Sequence, residues 1–166
     1  MTKKVILINK YIIVATILFF ATSCSNTGDN LELDNHKKVN LIANKQAFEK
    51  AESNRKNGTG NELSDPFDIE SIERVGDILK VKISYKGGCE EHSFDLVWND
   101  EIMIMIYPCQ INLILTHDAH GDQCETRITE ILEIDLTELN ITCDLNVFNI
   151  FNGSDDPDSF VTSLDN

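Results

Sequence analysis

The sequence lacks the signatures of several large functional classes. It has 14 basic residues against 28 acidic ones and no basic stripe, which argues against a nucleic-acid partner. It contains no G-x-S-x-G elbow, no H-E-x-x-H helix, no phosphate-binding loop and no C-x-x-C pair. Carboxylates are too numerous for any one pair to stand out as a catalytic dyad. We therefore expect no enzyme activity, no catalytic residues and no cofactor.

The N-terminal apolar run is also too short to cross a bilayer, which takes about 20 residues. Tyr11–Ala21 follows three lysines and leads into small residues, a pattern typical of a signal peptide over 1–23. The residues before Cys24 resemble a bacterial lipobox, with Ala21 where leucine is usual. We expect cleavage before Cys24 and lipidation of its new amino terminus.

Lipidation predicts a protein anchored in the cell envelope, most simply the outer membrane, with the membrane as its first partner. Cleavage would remove three basic residues and no acidic ones, shifting the formal net charge from −14 to −17. The pattern does not distinguish the periplasmic face from the cell surface.

The rest of the chain divides by composition into four parts. We expect a flexible acidic tether over 24–38, a short strand, a helix and a loop over 39–63, one β domain over 64–153, and a disordered acidic tail over 154–166. Asn44 is placed to cap the helix.

Alternation of apolar and polar residues predicts half-buried strands through the β domain. The clearest inner faces are Leu79, Val81, Ile83 and Tyr85; then His92, Phe94, Leu96 and Trp98; then Ile111, Leu113, Leu115 and His117. Short turns and little helix indicate an all-β fold, a single antiparallel β-sandwich or partly open barrel of about six to eight strands.

Four cysteines remain once Cys24 is assigned to lipid, and an oxidising compartment favours two disulfides. Three pairings are possible. We favour Cys89 with Cys124, because each lies at a turn before a strand, and this leaves Cys109 with Cys143. In a plain meander the first pair would fall at opposite ends of a sheet, so it predicts that 99–109 crosses between sheets.

A metal site is the alternative use of the same region. Its ligands would be Cys89, His92, His117, His120 and Cys124, a set suited to tetrahedral nitrogen and sulfur coordination. Export favours disulfides over thiolates, and histidines near strand ends are usually hydrogen-bonded structural groups. We therefore expect structural histidines, no metal, and an acidic surface turn over 118–122.

Three phrases in the chain resemble a group of uncharacterised small lipoproteins of Bacteroidetes-type bacteria. They are D-P-F-D-I at 65–69, S-Y-K-G-G-C-E-E-H-S-F at 84–94 and L-T-H-D-A-H-G-D-Q-C-E-T at 115–126. The resemblance covers about 64–153 and implies a structural motif, while Cys109 and Cys143 look like additions. Its residues here are Gly88, Cys89, His92, His117, Gly121, Asp122 and Cys124. It implies no activity.

These observations favour a non-catalytic envelope lipoprotein, a β-sandwich that binds or supports an envelope protein or a glycan. Trp98 and the apolar segment 102–107 would line a binding surface if exposed and belong to the core if buried. Two alternatives are a metal-binding lipoprotein and an inhibitor of a secreted protease that presents a disulfide-held loop.

Overall fold

A computed structural model describes residues 36–101, 107–139, 141, 143, 145–154 and 160–164. Within these ranges the chain forms nine strands, one α-helix and two short 3-10 helices. In order they are β1 (His36–Lys38), β2 (Asn40–Ala43), α1 (Lys45–Lys56), a 3-10 helix (Gly60–Glu62), β3 (Asp68–Val75), β4 (Ile78–Gly87), β5 (Ser93–Trp98), β6 (Cys109–Asp118), β7 (Thr126–Asp135), a 3-10 helix (Leu136–Leu139), β8 (Asn146–Asn152) and β9 (Phe160–Leu164). The predicted signal peptide, Cys24 and residues 102–106 lie outside the described residues.

The strands form two mixed sheets, one in the order β1-β7-β4-β3 and the other in the order β2-β5-β6-β8-β9. The predicted all-β sandwich is confirmed, and it is not a closed barrel. It is not purely antiparallel, since β1 with β7, β2 with β5, and β6 with β8 are parallel pairs. The last pair is parallel because the chain leaves for the other sheet as β7, reverses, and returns beside β6 in the original direction.

The core lies between the two sheets, where the predicted inner faces meet. Leu79, Val81 and Ile83 of β4 and Leu132 of β7 are all fully buried. Each such side chain contributes roughly 1.5 to 3 kcal/mol on burial. Trp98 is 7% exposed and belongs to this core rather than to a binding surface.

Helix α1 covers part of the outer face of the five-stranded sheet. Its predicted cap is confirmed, since Asn44 Oδ1 accepts a hydrogen bond from the Ala47 N–H at 2.8 Å. The narrow apolar stripe, Phe48 and Ala51, packs against Ile114 of β6. No helix in the described ranges is long and apolar enough to cross a membrane.

Two of the segments that carry the chain between the sheets, the crossing loops 88–92 and 119–125, lie together at one end of the sandwich. The prediction that 99–109 makes the crossing is wrong, because β5 and β6 are antiparallel neighbours in one sheet. Paired glycines at 87 and 88 suit a hairpin turn, which would keep β4 and β5 in one sheet. That turn instead carries the chain from one sheet to the other.

The domain extends beyond its predicted limits at both ends. β1 and β2 pair with β7 and β5, so the first strand begins inside the predicted tether 24–38. In the described part of the predicted disordered tail, Ser154 is buried, and 160–164 forms β9 and pairs with β8. Composition missed this strand because its backbone hydrogen bonds go to a sheet edge that exists only in the folded domain.

Candidate functional site

The two crossing loops meet at a disulfide. Cys89 and Cys124 are bonded, with their Cα atoms 5.9 Å apart, and Cys109 and Cys143 are bonded with Cα atoms 6.4 Å apart. Both favoured pairs therefore lie at disulfide distance. The first bridge ties one sheet crossing to the other, and the second lies near the opposite end of β6.

Asp122 is the hub of these loops. Its Oδ2 accepts hydrogen bonds from the backbone N–H groups of Gly88, Cys89 and Glu90 at 2.9, 2.9 and 3.0 Å, and its Oδ1 accepts one from Cys124 at 2.7 Å. The carboxylate is 0% exposed. The N–H of Cys124, then those of Glu90 and Cys89, hold the pKa of Asp122 well below its usual range. The predicted acidic surface turn is therefore wrong at this residue, because successive backbone donors enclose its charge.

A chain of two imidazoles leads inward from the hub. His92 Nε2 lies 3.1 Å from Asp122 Oδ2, and His92 Nδ1 lies 2.8 Å from His117 Nε2. Both histidines are 2% exposed. The remaining nitrogen, His117 Nδ1, is enclosed in the interior and makes no hydrogen bond of full geometry among the described residues. The backbone carbonyls of Asp65 and Pro66 approach this ring as hydrogen-bond acceptors and favour its protonated form.

Aromatic rings pack around the imidazole pair. Phe94 stacks on His117 with centroids 4.5 Å apart, Tyr85 lies 4.5 Å from His92, and Phe67 meets His117 edge-on at 5.7 Å. These contacts fix both ring planes. The histidines bond to each other and to a carboxylate, and His117 also approaches backbone carbonyls of the loop before β3.

Gly87 is required by the position of the His92 ring. A Cβ atom at residue 87 would lie 2.5 Å from His92 Cε1 and Nε2 and 3.1 Å from Asp122 Oδ2. The neighbouring Gly88 has a different reason to be glycine, its φ of +117°. The motif implied by the resemblance includes Gly88 and not Gly87. Nothing local to residue 87 signals a ring that arrives from another strand.

We expect Gly87→Ala to destabilise the domain by about 2 to 3 kcal/mol, since the His92 ring is pinned and overpacking is costly. Gly88→Ala is the matched control and should cost about 1 kcal/mol through its backbone conformation alone. Urea unfolding of both variants measures the difference. Equal losses would contradict the steric role of residue 87.

The stability of the domain should fall as the pH is lowered from about 7 to 5. Burial, then the neighbouring His92, lowers the pKa of His117 below its usual 6.5, although the carbonyl and carboxylate of Asp65 raise it in part. The unfolded chain therefore takes up a proton that folded His117 does not. One such proton gives a slope of at most about 1.4 kcal/mol per pH unit. Below about pH 4 the lowered pKa of Asp122 acts in the same direction.

Urea midpoints measured across this pH range check that expectation. His117→Phe should flatten the slope, whereas His120→Gln should not, because His120 lies in an exposed turn. A wild-type midpoint that rises as the pH falls would contradict the argument.

A cavity of about 340 Å³ opens beside the imidazole pair. Its wall includes Asp65, Phe67, Tyr85, His117 and Ala119. The volume is at the lower end of the range for small-ligand sites. His117 thus connects the buried hydrogen-bond chain to an opening on the surface.

Charged pairs surround this opening. Arg127 Nη2 lies 3.5 Å from Asp68 Oδ2 and donates to Ser84 Oγ at 2.6 Å, and Lys86 pairs with Glu125. All five residues line the cavity. Both cations at the rim therefore have carboxylate partners, as is common for surface charges.

The five residues considered as metal ligands do not form one site. They are Cys89, His92, His117, His120 and Cys124. Among the described residues, the only group able to reach a single ion combines the two cysteines with Asp122, and it includes none of the histidines. The two sulfurs are bonded to each other. The disulfide therefore occupies the thiolates that a zinc site would need.

The implied structural motif does come together. The backbone N–H of Gly88 donates to the Asp122 carboxylate. From that carboxylate the hydrogen-bond chain continues through His92 to His117. Gly121, with φ of +76°, forms the turn before Asp122. Asp65 and Gly87 were not identified from the sequence as part of this site, and Tyr85 was predicted only as an inner-face residue of its strand. Their roles arise from contacts with distant segments.

No protein-family model matches the chain, and no curated protein matches its sequence. Among solved structures it is similar to a protein described as toxin related from Parabacteroides distasonis, at 17% identity and a TM-score of 0.52. That match covers 78% of this chain and 60% of the other.

Two further solved structures match at lower TM-scores. A protein of unknown function, DUF1344, from Bacteroides vulgatus has 13% identity, coverage of 78% and 56%, and a TM-score of 0.47. A NigD-like immunity protein from Bacteroides caccae has 21% identity, coverage of 61% and 51%, and a TM-score of 0.43. The chain spans about half to three fifths of these proteins. The first match supports the fold alone: the protein is a small β-rich module.

Proposed function

We propose that this protein is a lipid-anchored binding module of the cell envelope, and that its ligand enters the cavity beside His117. The observation that carries the proposal is a preformed cavity of about 340 Å³ whose wall includes His117, Phe67 and part of the loop 119–125. Concave sites that combine apolar walls with a few polar groups are where small ligands usually bind.

The rigidity of the surrounding loops supports binding with little rearrangement. The Cys89–Cys124 bridge joins the two loops, and Asp122 accepts four backbone hydrogen bonds from them. Asp65 Oδ2 also accepts the Ala119 N–H at 2.8 Å, tying the segment before β3 to the end of β6. Preorganisation of this kind lowers the entropy cost of binding.

The arrangement favours binding over catalysis. A carboxylate followed by imidazoles resembles the orienting groups behind a general base, but such a base activates a hydroxyl or thiol within hydrogen-bond reach. No described hydroxyl or thiol is hydrogen-bonded to His117 Nδ1. Ser64 Oγ instead accepts the backbone N–H of His117.

The envelope location is supported by the sequence pattern that ends at Cys24. This pattern consists of three lysines, a short apolar run and small residues before a cysteine. It is typical of an exported protein that is lipidated at that cysteine. Two disulfides in the folded domain are consistent with an oxidising compartment.

A fragment screen by ligand-observed NMR tests the binding site, using the purified full-length protein in detergent. The library holds equal numbers of neutral, anionic and cationic fragments. Hits should lose binding in Ala119→Phe, which adds a ring to the cavity wall, and keep it in Ala43→Phe, an exposed control. Hits that bind both variants equally lie elsewhere and contradict the cavity proposal.

Metabolic labelling with a radioactive fatty acid tests the anchor separately. The wild-type chain expressed in a Gram-negative host should carry label and fractionate with membranes. Cys24→Ser should lose both properties. Label retained by that variant would exclude Cys24 as the lipidated residue.

A further inference from the structure

Three polar contacts in a line connect the buried imidazole pair to its surroundings. Asp122 Oδ2 lies 3.1 Å from His92 Nε2, and His92 Nδ1 lies 2.8 Å from His117 Nε2. At the far end, the ring of His117 faces the backbone carbonyls of Asp65 and Pro66. Each contact needs one hydrogen between its two polar atoms, because two lone pairs that face each other repel.

The groups at both ends of this line are acceptors. Asp122 Oδ2 already accepts three backbone N–H groups, and the N–H of Cys124 is the largest of the influences that hold the pKa of this carboxyl well below its usual range. The carboxylate is therefore ionised and has no hydrogen to offer. Backbone carbonyls never carry one. All three hydrogens must come from the ring nitrogens of the two histidines.

Two neutral imidazoles are one hydrogen short of this requirement. Each neutral ring carries one hydrogen, so the pair supplies two for three contacts. If they are on His92 Nε2 and His117 Nδ1, two lone pairs face each other across 2.8 Å. Moving either hydrogen to the inner contact places a lone pair against the Asp122 carboxylate or against the carbonyls. Every neutral arrangement thus contains one repulsive buried contact, which is costly.

A third hydrogen satisfies all three contacts and gives the pair one positive charge. The geometry places this charge on His92, the ring in contact with a carboxylate. Burial, followed by the neighbouring His92, lowers the pKa of His117, which keeps that second ring neutral. His92 then donates from both nitrogens, to Asp122 and to His117 Nε2. His117 donates from Nδ1 toward the carbonyls.

The other charged and titratable groups around the pair favour a positive charge. Asp65, in the segment before β3, acts on His117, and Glu130 of β7 faces the Tyr85 hydroxyl. Burial, then Glu130, raises the pKa of Tyr85, so the phenol is neutral. On the side of β1, Lys37 Nζ donates to the backbone carbonyl of the first histidine. With the hub, three carboxylates stand against this ammonium.

We propose that at neutral pH the pair holds three hydrogens and one positive charge, as an imidazolium at His92 paired with the Asp122 carboxylate, and that this proton locks the crossing loops in place. Asp122 belongs to the loop 119–125, His92 ends the loop 88–92, and His117 reaches the segment before β3. Loss of the proton at higher pH leaves one contact repulsive and weakens the lock. This inference does not depend on a ligand in the cavity.

Nitrogen NMR of the full-length protein in detergent, labelled with ¹⁵N-histidine, tests the proton positions at about pH 7.5. Long-range ¹H–¹⁵N spectra distinguish protonated ring nitrogens from unprotonated ones. His92 should show two protonated nitrogens, and His117 should show a protonated Nδ1 and an unprotonated Nε2. An exposed imidazole is mostly neutral at this pH, and His120, in an exposed turn, provides that comparison in the same spectra.

The dependence of stability on alkaline pH tests the lock. Above about pH 7 unfolded histidines are mostly neutral, so folded His92 holds a proton that the unfolded chain lacks. The unfolding equilibrium constant should therefore rise severalfold between pH 7.5 and 8.5, up to about tenfold for one proton. This loss is separate from the one expected below pH 7, which arises from His117. Urea unfolding measures it.

Two variants assign the alkaline effect to the pair. His92→Gln should abolish the rise in the unfolding constant, whereas His120→Gln should retain it. A rise that persists in His92→Gln would overturn the proposal, and so would a wild-type constant that stays level or falls. A neutral His92 in the spectra, or a charge on His117 instead, would also overturn it. The spectra need no variant of the pair, so they decide the matter even if His92→Gln fails to fold.

Discussion

Asp122→Asn should lower the melting temperature of the domain by roughly 10 °C. The substitution keeps the size of the side chain but replaces one acceptor oxygen with an NH₂ group. Either orientation of the amide turns that NH₂ toward backbone donors, the Cys124 N–H on one side and the Gly88, Cys89 and Glu90 N–H groups on the other. Buried donors left facing a donor lose their hydrogen bonds without regaining water.

Asp118→Asn is the matched control for this experiment. It removes the same charge from the same turn, but the Asp118 side chain is 65% exposed. We expect a change of roughly 3 °C or less, as for most surface substitutions. Similar losses in the two variants would show that net charge, rather than the buried hub, determines the effect. Thermal denaturation followed by circular dichroism distinguishes these results.

Replacing both Cys89 and Cys124 with serine should cost about 3 to 4 kcal/mol of unfolding free energy. The bridge closes a sequence separation of 35 residues, and the chain-entropy model assigns that cost to the freed unfolded chain. The same change should weaken ligand binding, because the bridge holds together the loops beside the cavity. Urea unfolding without reductant measures the first effect, and the fragment screen measures the second.

The second disulfide provides an internal comparison. Cys109 and Cys143 close a separation of 34 residues, so the entropy model predicts almost the same loss for their double serine variant. That variant should leave cavity binding intact, because Cys109 begins β6 and the cavity lies at the other end of that strand. A loss below about 1 kcal/mol for the first pair would contradict its structural role. Equal loss of binding in both variants would indicate general destabilisation.

Much of the β architecture was predictable because its causes are local. Alternation with period two identified the inner faces of β4, β5 and β6, and it placed His92 and His117 toward the core. The helix after Asn44 followed from its capping residue and its narrow apolar stripe. The favoured cysteine pairs followed from their positions at turns and from elimination.

Sheet order was not predictable in the same way. Paired glycines at 87 and 88 suit a hairpin turn and an intersheet crossing equally well, so the local signal could not choose between them. The choice depends on which strands bury their inner faces together. That is a property of the whole core, and it moved the crossing from 99–109 to the loops on either side.

By itself, the sequence determined the fold class and the inner face of each main strand. Both follow from side-chain periodicity. The residues of the motif were implied only by the resemblance to a group of small lipoproteins. Only the tertiary structure decided that the Asp122 carboxylate is enclosed, that Gly87 must lack a side chain and that His92 bonds to His117. These features depend on hydrogen bonds and ring contacts between segments about 25 to 55 residues apart, and no local pattern encodes such distances.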